Sequence, residues 1–185
     1  MKKITLLLAL LFIILSNVVN AQTYKTRDAN IFFNPNKDQS HKDYASVSKE
    51  GTAVLKVETN EVALLVPMKT FHFNNALLEE HFNENYLHTN KFPNATFKGK
   101  LIGFNKDQLA KDGTYTMSSE GQVSLHGVTQ NFKAPVKLVV KGKSATFTCN
   151  FKIRADQYAI DIPALVKPKL SDETPIDANI VFQLN

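Results

Sequence analysis

Several residue sets in this sequence have the types and spacing that chemistry requires. His81, Glu84 and His88 lie three and four apart. On a helix that spacing puts them on one face, where they present three metal-ligand atoms. The order matches no recognised metal signature, and a solvated helical face explains it equally. Arg154 and Asp156, two apart, share a face on a strand and read as an ion pair where the strand ends. The single cysteine, Cys149, excludes an intrachain disulfide and any multi-cysteine zinc or iron–sulfur site. It sits within an apolar alternation with no base beside it, so it reads as a small buried hydrophobe. No serine lies in a nucleophile elbow, and the carboxylates are dispersed. No nucleophile–base–orienter set can be assembled. We therefore expect a protein that is not an enzyme and that carries no cofactor or metal.

His126-Gly127 separates two strand-like patterns. It reads either as a tight turn, with Gly127 at positive φ and His126 orienting the loop, or as a contact at a ligand mouth. The richer signal is apolar. Of 13 Phe, Phe71, Phe73, Phe92 and Phe97 cluster around a segment, 75–88, that contains Leu78, Phe82 and Tyr86. Phe82 and Tyr86, four apart, are placed to cover a core or a ligand. Phe147, Phe151 and Ile153 share one face with Cys149, and Leu125 and Phe182 fall on similar faces. These residues, with His126, form the candidate ligand-contacting set. Sequence alone leaves open whether they fill a core or line a tunnel, because both need apolar inward faces.

The elements that must position them alternate with period two. Ala145, Phe147, Cys149, Phe151 and Ile153 face one way, and Thr146, Thr148, Asn150, Lys152 and Arg154 the other. Val136, Leu138 and Val140 precede them across a turn at Gly142. Ile176, Ala178, Ile180, Phe182 and Leu184 repeat the pattern, as do Ala53, Leu55 and Val57, then Val62, Leu64, Val66 and Met68. With 96–104, 114–125 and the weaker 25–33, about eight strands result. Short turns demand antiparallel pairing. The expected architecture is all-β: eight antiparallel strands that form a sandwich or close into a barrel, with a short helical loop at 75–88 and a long loop at 156–173. An inward surface of Phe, Ile and Leu suits a long apolar ligand.

Residues 1–21 read as a secretory signal peptide: Lys2 and Lys3, an apolar run from Ile4 to Leu15, and a c-region ending at Ala21. The run is too short to span a bilayer comfortably, which needs roughly 20 residues. No cysteine follows it, so a lipoprotein anchor is excluded. The expectation is a periplasmic or secreted domain, 22–185. Cleavage removes two lysines, so the formal charge of +5 falls by two. Lys133, Lys137, Lys141 and Lys143 alternate with apolar positions, as on a solvated sheet face. No nucleic-acid partner is expected, while peripheral contact with anionic lipid head groups stays open. Asn94-Ala95-Thr96 matches a glycosylation sequon but falls in a strand pattern and reads as chance.

Three stretches resemble the YceI-like family of lipocalin-like, polyisoprenoid-binding proteins. Lys91-Phe92-Pro93-Asn94-Ala95-Thr96-Phe97 is similar to its K-[YF]-P-x-A-x-F segment. Gly121 to Thr129 resembles G-x-L-x-[LI]-H-G-V-[TS], with Val123 for Leu. Phe151 to Ile160 is similar to F-x-[IL]-x-R-x-D-[FY]-G-[IV], with the arginine one place early and Ala159 where Gly is usual. The resemblance covers roughly 77–185; towards the start only Tyr24 and the Ile31-Phe32-Phe33 ending keep the family pattern. The resemblance implies an eight-stranded antiparallel, lipocalin-like β-barrel with a long apolar tunnel, an isoprenoid or other long-chain lipid as ligand, and a homodimer as an open alternative. The runner-up reading is a structural or interaction barrel filled by its own side chains.

Overall fold

Alternating residues can close into a barrel only if every strand finds two partners, and here every one does. The computed structural model describes residues 22–184. The signal-peptide segment lies outside the described residues. Eight strands follow in order: β1 Thr23–Phe33, β2 Ser46–Lys56, β3 Glu61–Pro67, β4 Asn94–Ile102, β5 Gly113–Leu125, β6 Val128–Lys141, β7 Ser144–Ile153 and β8 Thr174–Gln183. Each pairs antiparallel with the next, and β8 closes back onto β1. The expected eight-stranded antiparallel barrel is therefore the fold. Closure satisfies the edge groups that an open sheet leaves unpaired.

Connections differ sharply between the two ends. At one end β2–β3, β4–β5 and β6–β7 are joined by residues 57–60, 103–112 and 142–143. At the other end lie the long segments 34–45, 68–93 and 154–173, with the two-residue β5–β6 turn between them. We call these the closed and open ends. The 68–93 segment contains α1, Ala76–Glu80, which runs into a π-helical turn at His81–Tyr86. The expected helical loop is present. The 156–173 loop is present too, with short 3₁₀ turns at Ala155–Tyr158 and Lys167–Lys169.

The core forms two clusters. One, at the closed end, gathers Tyr24, Leu55, Leu101, Phe104, Leu138, Phe147 and Phe182. The other gathers Ile31, Val66, Phe71, Phe82, Leu87, Val123, Tyr158 and Ile160 beneath the open end. Among the described residues, no helix is long and apolar enough to cross a membrane.

Candidate functional site

The open end is roofed by α1 and its π turn, and specific bonds hold that roof. Asn75 caps α1 by accepting from the Leu78 N–H at 3.2 Å. The Glu79 carboxylate accepts from the Phe73 N–H at 2.9 Å and from His72 Nδ1 at 3.1 Å. These bonds, the backbone one first, hold the Glu79 pKa below its ordinary 4.5. Asn83 donates to the Glu79 carbonyl at 2.9 Å, and buried Thr89 donates to Asn83 Oδ1 at 3.1 Å. The π turn is real in its bonding: Leu87 N–H reaches the Phe82 carbonyl five residues back. The extra residue breaks the three-and-four spacing that would have aligned His81, Glu84 and His88. His81 lies against Tyr86, while His88 leaves the helix at φ 43 and pairs elsewhere. Among the described residues no group of three or more His, Cys, Asp or Glu converges on a metal position.

Beneath the roof lies a cavity of about 240 Å³. Nine of the residues expected from sequence line it: Phe71, Phe73, Leu78, Phe82, Tyr86, Phe97, Leu125, Phe151 and Ile153. The roof rings pack on one another. Phe82 stacks on Phe33 at 5.8 Å and meets Phe71 and Phe73 at 5.9 and 5.0 Å. A second chamber of about 80 Å³ lies deeper, and Phe147 and Phe182 line that one only. Among the described residues, no charged side chain lines either chamber. Cys149 borders the deeper one, and burial pushes its thiol pKa up to about 11.

His126 and Phe92 line neither chamber. Their place is the β5–β6 turn, and the reason is the turn's own geometry. His126 and Gly127 both have positive φ, 51 and 78, as a two-residue hairpin requires. Leu125 ends its strand facing inward, and His126 turns over the rim. Its Nδ1–H donates to the Tyr158 carbonyl at 3.0 Å. In the neutral ring Nε2 is then the acceptor, and it takes the His88 Nδ1–H at 2.8 Å. Phe92 packs edge-on to His126 at 4.7 Å, in the space a side chain on Gly127 would need. His126 therefore fastens the 68–93 and 154–173 segments together. Of the two sequence readings, the geometry is that of the orienting turn.

Several lining residues were missed in the sequence reading. Ile31 and Phe33 on β1 follow the period-two signal of a strand judged weak. Tyr44, Ile160, Ile162 and Leu170 come from loops, where no periodicity marks them. Arg154 and Asp156 do form the expected ion pair, at 2.7 Å in solvent at the end of β7.

Such a wall can do one thing well. It withdraws apolar surface from water, at roughly 25 cal/mol per Å². With few polar groups it recognises length and girth, not functional groups.

Comparison with known proteins places this geometry. The model of the YceI-like domain matches residues 23–182. No curated protein matches the sequence. Among solved structures, a polyisoprenoid binding domain from Saccharophagus degradans, implicated in plant cell wall breakdown, is similar at TM-score 0.73 and 12% identity. That match covers 90% of this chain and 100% of the other. BcnA of Burkholderia cenocepacia is similar at TM-score 0.67 and 14% identity, over 83% and 95% of the two chains. The YCEI protein of Campylobacter jejuni is similar at TM-score 0.58 and 16% identity, over 75% and 83%. At these identities the likeness is one of fold.

Proposed function

We propose, from the premise that this chain belongs to the YceI-like family, that it is a binding protein that holds a long apolar chain of the isoprenoid class in its barrel. The carrying observation is the cavity of about 240 Å³ whose wall has no charged side chain and is roofed by a capped helix. The polyisoprenoid-binding name of the Saccharophagus relative supports the same ligand class. Each CH₂ withdrawn from water contributes about 0.8 kcal/mol, part of which ordering offsets. A tail of several isoprene units can therefore be held without a head-group contact. The lining rings are the contact set; His126 and Phe92 act on the rim.

The test is native mass spectrometry and organic extraction of the mature protein purified from its own host. An apolar adduct of isoprenoid mass is expected. A protein that emerges empty, and that after detergent stripping takes up neither a prenyl alcohol nor a quinone, overturns the reading.

Export is part of the proposal and rests on residues 1–21. N-terminal sequencing should find the mature chain starting at Gln22 in the periplasmic or secreted fraction. An intact Met1 terminus in the cytosol would refute it. Sequestration or transport is the activity that suits a wall of this chemistry.

A further inference from the structure

The two chambers meet at a layer of side chains common to both walls: Leu64, Phe97, Val123, Phe151 and Ala178. These come from five of the eight strands, so the layer runs most of the way round the barrel. β6 adds Phe132, which borders only the deeper chamber. Phe132 packs edge-on against Phe97 at 5.3 Å and against Phe151 at 4.9 Å. Phe132 thus links Phe97 and Phe151 into a partial floor between the chambers.

The backbone makes room for that floor. Gly99, Gly121 and Phe132 lie side by side across the ladder. The two glycines leave the inner wall bare at this level, and the Phe97 ring lies over the gap. A Cβ on Gly99 would stand 2.5 Å from Phe97 Cζ. The hollow fixes where the ring rests, and Phe132 braces it from the next strand. Displacing either ring breaks edge-to-face contacts that hold the others. In a closely packed interior such a change is a step, not a gradual yielding.

We propose that the Phe97–Phe132–Phe151 floor determines the length of chain the barrel accepts. The tail enters under α1, fills the upper cavity and stops at the floor. A longer chain enters only by moving the rings into the small deeper chamber. This inference rests on the reading of the barrel as a binder of isoprenoid-type chains and adds to it the determinant of length.

Phe132→Ala is the direct test, because Phe132 borders only the deeper chamber, so its removal opens the floor without deleting a side chain that lines the upper cavity. Phe132→Leu serves if the alanine variant fails to fold, and Val123→Phe thickens the same layer. Farnesol, geranylgeraniol and solanesol would compete with an apolar fluorescent dye for the mature protein. Wild-type affinity should rise with length and then level off. Phe132→Ala or Phe132→Leu should strengthen binding of a longer alcohol relative to farnesol by about tenfold. Val123→Phe should weaken the longer alcohols more than farnesol. Identical length profiles in all variants, or a wild-type affinity still rising at solanesol, would overturn the floor as determinant. If no alcohol displaces the dye from any variant whose circular dichroism is native, the apolar-chain reading itself falls.

Discussion

β7 passes through both halves of the barrel, and its inward residues fare differently in each. Near the closed end Ala145 is wholly buried and Phe147 nearly so. Phe147 meets Phe182 at 5.8 Å and Phe104 at 6.3 Å, while Leu55 and Leu138 have no exposed surface. Towards the open end Phe151 and Ile153 keep the same alternation yet remain only half-buried, with a cavity before them. The closed half mixes small inward residues, Ala53, Ala134 and Ala145, with large ones, so side chains interdigitate and leave only the small deeper chamber. In the open half, rings line the wall and pack on one another there, and a helix spans the mouth. One half is largely filled and the other lined, so a core and a binding cavity coexist along a single strand.

The sharpest way to break that comparison is to delete a ring from each half. Phe182→Ala should cost about 3–5 kcal/mol in urea unfolding, because the ring is buried and packs on Phe147. Phe73→Ala, in the roof, should cost about 1 kcal/mol in stability and instead weaken binding of a prenyl alcohol by about tenfold. Equal stability losses would mean that both halves are ordinary core.

Acid should separate the halves next. The folded-state pKa of Glu79 lies below its ordinary 4.5. Its contribution is therefore complete above that value and is lost as pH falls through the lowered folded-state pKa. Amide exchange at Phe73 and through α1 should accelerate in that window before exchange at Leu138 does. Glu79→Gln should remove this pH dependence. Simultaneous exchange of both regions would show that the roof is no separate unit.

A smaller effect with the opposite sign is expected at Ala159. It ends the 3₁₀ turn Ala155–Tyr158 at φ 52, in the left-handed region that Cβ disfavours. Ala159→Gly should raise stability by about 1 kcal/mol, less the added freedom of the unfolded chain. A loss in thermal unfolding would contradict this. Smallest of all is the chemistry of Cys149. With its pKa at about 11 the thiol stays protonated at pH 8, and alkylation should be slow in native protein and rapid in urea. Fast native labelling would mean that the deeper chamber opens readily.

How much of this was legible in the sequence follows from which interactions are local. Period two is a property of the strand itself, so the inward faces of β2, β3, β6, β7 and β8 could be read without knowing their partners. The same signal put Phe151 and Ile153 on an inward face. The helical loop was marked by its Leu and Phe spacing, though nothing local announced the π turn that sends His88 to His126. Loop residues such as Ile160 and Leu170 could not be found, because their burial depends on a roof assembled from distant segments.

The sequence by itself determined the strand count, the direction residues face along β2, β3, β6, β7 and β8, and the apolar character of those inward faces. These follow from backbone geometry and residue type along one strand. Whether the inward rings fill or line the barrel was decided only by the tertiary structure. That outcome depends on the volume left when side chains from all eight strands and the roof meet, a sum over residues far apart in the chain. The closed half leaves only the chamber of about 80 Å³; the open half leaves a cavity of about 240 Å³.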